Sequence, residues 1–128
     1  YRQAHLLRRC LKSVFAQDCG PVELLVCDDH SCDFFAGETE AWIRQNAPDW
    51  VSRIWVRQNE RYSGPAATAQ AALEQAHGRY FIRLCGDEVL CRPDSLARRG
   101  RSVRRVRRFA CSCRNGSRSG SKRSPRMC

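Results

Sequence analysis

One short apolar run that stops abruptly on acids constrains this chain more than any other feature. "VELLVC" (22–27) leads straight into Asp28 and Asp29, with no polar alternation beyond Glu23. Such a run reads as a strand covered on both faces, which is the habit of parallel sheets. Parallel strands need crossover helices, and the flanking sequence supplies them. Leu7, Cys10, Leu11, Val14 and Phe15 fall at i, i+3, i+4, i+7 and i+8, predicting a one-sided helix from Ala4 to Gln17 that ends at "DCGP". Glu38 to Asn46, containing Trp42 and Ile43, predicts a second helix stopped near Pro48. "RIWV" (53–56) predicts the next strand. Pro65 suits the first position of an alanine-rich helix to about Ala76, with Gly78 as its stop. "RYFIRL" (79–84) predicts a third strand, delivering "CGDE" with Asp87 and Glu88 at its end. Strand, helix, strand, helix, strand is a Rossmann-like α/β pattern, whose ligands bind beyond the carboxyl ends of the strands.

Charge divides the chain in two. All 13 acidic residues lie at or before Asp94, so residues 1–95 carry eleven basic groups against thirteen acidic ones, a net of −2. Residues 96–128 carry twelve of the 23 basic groups and no acid, so the formal +10 of the whole describes neither part. The tail loses all hydrophobic periodicity after Pro93 and is predicted to be disordered, because it cannot bury enough surface to offset the entropy of ordering. Its Arg, Ser, Gly and Cys bias also matches a GC-rich coding sequence read in the wrong frame. Two units follow, 1–95 as a folded part and 96–128 as the tail.

Nine cysteines at irregular spacing, with no apolar leader segment, point to a reducing, cytoplasmic setting with free thiols. No apolar run approaches the roughly 20 residues that span a bilayer, so any membrane association is expected to be peripheral, at the inner face. "CSC" (111–113) lacks the four ligands of a structural zinc site.

The acids at the two strand ends carry the chemistry. Asp28, Asp29 and Asp33 in "DDHSCD" can accept hydrogen bonds from a base or a ribose; the plainer alternative is a loop in which Ser31 or Asp33 caps the next helix. Asp87 and Glu88 can hold Mg²⁺ or Mn²⁺, which takes one or two protein carboxylates and fills its other positions with water and phosphate oxygens; the alternative is a solvated acidic turn.

"YRQAHLLRRCLKSVFAQD…VELLVCDDHSCD" resembles the opening of family 2 glycosyltransferases, and "RYSGPAATAQAALEQAHGRYFIRLCGDEVL" is similar to their next block. The resemblance covers residues 1 to about 96. It implies a GT-A fold, a nucleoside-diphosphate sugar donor, inverting transfer to a saccharide or lipid-linked acceptor, and a place in cell-wall or polysaccharide synthesis. By position, it implies Tyr1 near the base, Asp28 and Asp29 on the base and ribose, Arg57 in the loop after the second strand as a diphosphate contact, Asp87 as metal ligand and Glu88 as its helper.

There are departures. Arg2, His30, Ala69, Gln70 and Cys85 replace residues usual in the family, His30 standing where Gly is common and Cys85 where a first metal-binding acid often lies. The family's first strand, central in its sheet, would precede Tyr1, and the acceptor half with its catalytic base would begin near Pro93. The chain is thus expected to be a GT-A fragment lacking that strand, with no assigned catalytic residue and no turnover of its own. The competing expectation is a non-catalytic module whose Arg-rich tail binds nucleic acid or an anionic membrane by charge.

Overall fold

A computed structural model describes residues 4–78, 81–102 and 108–112. In chain order the elements are α1 (Ala4–Phe15), β1 (Val22–Asp28), α2 (Ala36–Asn46), β2 (Val51–Gln58), α3 (Pro65–Glu74), β3 (Ile82–Cys85), α4 (Ser95–Ser102) and β4 (Arg108–Ser112). The first three helices and strands fall where periodicity and turn residues predict them, with ends displaced by a few residues. Pro65 does occupy the first turn of α3. Arg79 and Tyr80, predicted to open the third strand, lie outside the described residues.

The apolar run of β1 is accounted for by burial on both faces. Leu24 and Val26 pack into one cluster with Leu7, Leu11, Val14 and Ile43, whereas Leu25 and Cys27 pack into another with Ala72 of α3. The sheet is therefore a middle layer, with α1 and α2 on one side and α3 on the other. Phe15 of α1 stacks on Trp42 of α2 at 6.1 Å between ring centroids, joining the two helices of the first layer.

Every strand pairing is parallel, in the order β2-β1-β4-β3. The place between β1 and β3, where a central strand was expected to be missing, is filled from the basic end of the chain. Glu23 to Cys27 pair with Arg108 to Ser112 on one side, and Ile82 to Cys85 pair with Phe109 to Ser112 on the other. Two stretches of the expected disordered tail thus take up secondary structure. Leu96 of α4 is 5% exposed within the α1 cluster, and β4 satisfies two rows of main-chain groups that would otherwise face each other unpaired. Composition gave no sign of this, because strand pairing is made by main-chain groups that every residue carries. Residues 113–128 lie outside the described residues, and so do the expectations placed on them.

The segment after β3 is tied to the end of α1. Gln17, 4% exposed, donates through Nε2 to the carbonyls of Ser13 (3.0 Å) and Arg92 (2.8 Å), and its Oε1 accepts from the Leu96 N–H (3.2 Å). The Leu90 N–H donates to Ser13 Oγ at 3.0 Å, and the Asp18 N–H to the Pro93 carbonyl at 3.0 Å. These bonds fix the path of the chain just past Asp87 and Glu88.

Candidate functional site

Ser112 and Cys85, the last residues of β4 and β3, share a register row with Cys27, one residue before the end of β1. Asp28 and the turn at Gly86 and Asp87 therefore leave the same edge of the sheet. With neighbouring strands about 4.8 Å apart, the ends of β1 and β3 are separated by roughly 10 Å.

Asp28 is fully buried. Its Oδ2 accepts from the Ser31 N–H (2.6 Å) and from Gln58 Nε2 (3.3 Å), while its Oδ1 is buried with no partner among the described residues. Gln58, paired with Asp28 across the two strands, gives its other amide hydrogen to the Ser31 carbonyl at 2.7 Å. The bend between Asp28 and Ser31 puts His30 in the left-handed region at φ 63°, which costs a residue with a Cβ about 1–2 kcal/mol and explains why glycine suits this position. His30 Nδ1 lies 3.2 Å from the Asn59 carbonyl, which helps to hold the bend.

Asp29 turns the other way, into the chain. Its Oδ1 accepts from the Ser63 N–H (2.9 Å), the Ser63 hydroxyl (3.0 Å) and Asn59 Nδ2 (3.1 Å), and its Oδ2 from the Gly64 N–H (2.8 Å). Burial raises the pKa of this carboxyl, but the main-chain and side-chain donors of Ser63, Asn59 and Gly64 outweigh it and hold the group below the usual carboxylate value. Asn59 also reaches Thr68 Oγ1 of α3 at 3.0 Å and accepts from the Cys27 thiol at 3.8 Å. The network fastens the end of β1 to the start of α3. Gln58, Asn59 and Ser63 were not singled out in the sequence, since single polar residues at a strand end and in the loop after it carry no spacing signal.

A cavity of about 580 Å³ opens beside Asp28. His30, Ser31 and Gln58 supply its polar surface, and Phe34, Phe35 and Tyr62 its rings. Phe35 is 60% exposed and Tyr62 53%, unusual for large rings that only fill a core.

Asp33 lines a different cavity of about 300 Å³, between α1 and α2 with Arg8 and Trp42. It does not cap α2. The residue before that helix is Phe35, with no side-chain cap, so the expected capping role of Ser31 or Asp33 is not met.

Asp87 is exposed and makes no hydrogen bond to a described residue. Glu88 is exposed too, but its Oε2 accepts from the Cys85 N–H at 2.7 Å, closing the turn at the strand end. Cys85 is buried, and its carbonyl accepts from the Cys10 thiol at 3.6 Å. Among the described residues, no three His, Cys, Asp or Glu side chains gather to form a metal site on their own. Arg57 belongs to β2 and not to the loop after it; it opens onto a cavity with Asn59, Ser63 and Ala67 on the α3 side, apart from the Phe35 and Tyr62 rings. Tyr1 lies outside the described residues.

The sequence profile of Glycosyl transferase family 2 matches residues 1–122. The chain belongs to glycosyl transferase family 2. The match reaches beyond residue 96, near which the resemblance was expected to end, and takes in α4 and β4 of this family 2 domain. No curated protein and no solved structure matches the chain. The family as a whole implies a nucleotide-sugar donor and typically uses a divalent cation. No helix among the described residues of this family 2 domain is long and apolar enough to cross a membrane.

Proposed function

We propose that the chain binds the nucleoside diphosphate of an activated sugar along the carboxyl edge of its sheet, for inverting transfer of the sugar to an acceptor hydroxyl. The alignment of the Asp28 and Asp87 strand ends carries this reading. A separation of roughly 10 Å suits a base held at β1 and a diphosphate held at β3.

Asp28 serves the base side together with Gln58; the role near the base that the resemblance implies for Tyr1 falls outside the described residues. Asp29 acts through others, by fixing Ser63 and Gly64, so it is a positioning residue. Arg57 stands on β2, on the far side of β1 from β3, and opens onto the α3 side, so the diphosphate contact that the resemblance implied for it is not part of this reading. The exposed carboxylate of Asp87 offers two hard oxygens, a donor type that fits Mg²⁺ or Mn²⁺. Glu88 assists with the oxygen that its bond to Cys85 leaves over. Asp87 and Glu88 would hold such a cation, which would supply positive charge for the departing diphosphate.

Thermal unfolding of the full chain with Mn²⁺ and a panel of nucleoside diphosphates tests the reading. A rise in melting temperature that needs both metal and nucleotide is the expected result. Asp87→Asn should abolish the metal-dependent part while leaving the stability of the free protein within about 0.5 kcal/mol. Absence of any shift, alongside oligonucleotide binding that weakens steeply with salt, would instead favour the basic binding module.

A further inference from the structure

We propose that the cavity between Phe35 and Tyr62 selects a guanine base over uracil. The inference rests on the donor-site reading above and names the base that this site takes.

The Gln58 amide decides the matter. Its Nε2 donates inward to Asp28 Oδ2 and to the Ser31 carbonyl, at 3.3 and 2.7 Å. Both of those atoms can only accept, so a flipped amide would set Oε1 against a carboxylate and a carbonyl. The amide is held one way round, and its Oε1 is left as an acceptor for the cavity that Gln58 lines. His30 is fixed in the same sense. Its Nδ1 faces the Asn59 carbonyl at 3.2 Å, so Nδ1 carries the hydrogen, and in that tautomer Nε2 is the acceptor. The hydroxyls of Ser31 and Tyr62 can turn either way. The side-chain groups with a fixed sense are therefore acceptors.

The two bases meet such a surface differently. Guanine offers adjacent donors, N1–H and the N2 amino group, along one edge. Uracil offers a single N–H flanked by two carbonyl oxygens, which would face lone pairs and lose their hydrogen bonds to water. The rings of Phe35 and Tyr62 give a flat base stacking surface, and a cavity of about 580 Å³ has room for a two-ring base.

Calorimetric titration of the full chain with GDP, IDP and UDP at one fixed Mg²⁺ concentration tests the assignment. GDP should bind at least about tenfold more tightly than UDP, and IDP, which lacks only the amino group, about tenfold more weakly than GDP. Gln58→Met removes the acceptor while keeping the length of the side chain, so the ratio of GDP to UDP affinity should fall towards one. Gln58→Leu removes the acceptor without touching Asp28 and should narrow the ratio as well. UDP binding as tightly as GDP to the unaltered protein overturns the base assignment and leaves the donor-site reading standing. No binding by any of the three overturns both. A ratio unchanged in both folded variants overturns the role of the Gln58 acceptor and the assignment with it.

Discussion

Replacing Asp29 by Asn alters one atom of a carboxylate that four hydrogen bonds converge on. The asparagine carbonyl can keep the partners of Oδ1, namely Ser63 N–H, Ser63 Oγ and Asn59 Nδ2. Its Nδ2 then meets the Gly64 N–H, which lies 2.8 Å from Oδ2 in the unaltered protein, donor against donor. A hydrogen bond to a charged group contributes about 1.5–3 kcal/mol, and the three remaining bonds weaken once the charge is gone, so a loss of about 2–4 kcal/mol follows. That is a large share of the roughly 5–15 kcal/mol that stabilises an ordinary domain. In urea the unfolding midpoint should fall by about 1–2 M at a typical slope for this size.

The pH dependence provides a second readout. The Asp29 carboxyl is held below its usual value, so the unfolded chain takes up the proton first. Its stabilisation is complete above the unfolded value of about 4 and is lost as pH falls through the lower folded value. The Asn variant has nothing to titrate there, so the stability gap between the two proteins should narrow below about pH 4. A variant within about 0.5 kcal/mol of the unaltered protein at neutral pH, or a gap that stays constant from pH 7 to pH 3, would refute the network as the role of Asp29.

Three further outcomes are expected. Gly64 sits at φ 89° with open space where a Cβ would stand, so Gly64→Ala should cost about 1–3 kcal/mol in urea unfolding through backbone strain alone, and a stabilised variant would contradict this. Ending the chain at residue 107 removes the strand that joins β1 to β3, and amides of Ile82 to Cys85 should lose their protection from hydrogen exchange; unchanged protection would mean that β4 is dispensable to the sheet. Alkylation at pH 8 should mark the exposed Cys32 and Cys91 well before Cys27, whose thiol is pushed up to about 11 by burial against the opposing pull of Arg57, and rapid labelling of Cys27 in the folded protein would contradict that burial.

The sequence alone determined the alternation of elements and which strand ends carry acids. Local patterns suffice for that: the spacing of Leu7, Leu11 and Val14 makes a helix in any surroundings that cover one face, and a run such as "VELLVC" needs cover on two. It could not determine what each of two adjacent carboxylates is bonded to. Asp28 and Asp29 are indistinguishable as letters, yet one backs the Gln58 amide and the other is consumed by Ser63, Gly64 and Asn59, thirty or more residues away. Nor could it show that Arg57 and Gln58, neighbours on one strand, open onto opposite sides of the sheet, or that Asp33 leaves its loop-mates for the α1 and α2 cavity. The central strand is the sharpest case. "RFACS" has a weak apolar signal among arginines, and its place between β1 and β3 is decided by main-chain hydrogen bonds, which only the assembled sheet can offer.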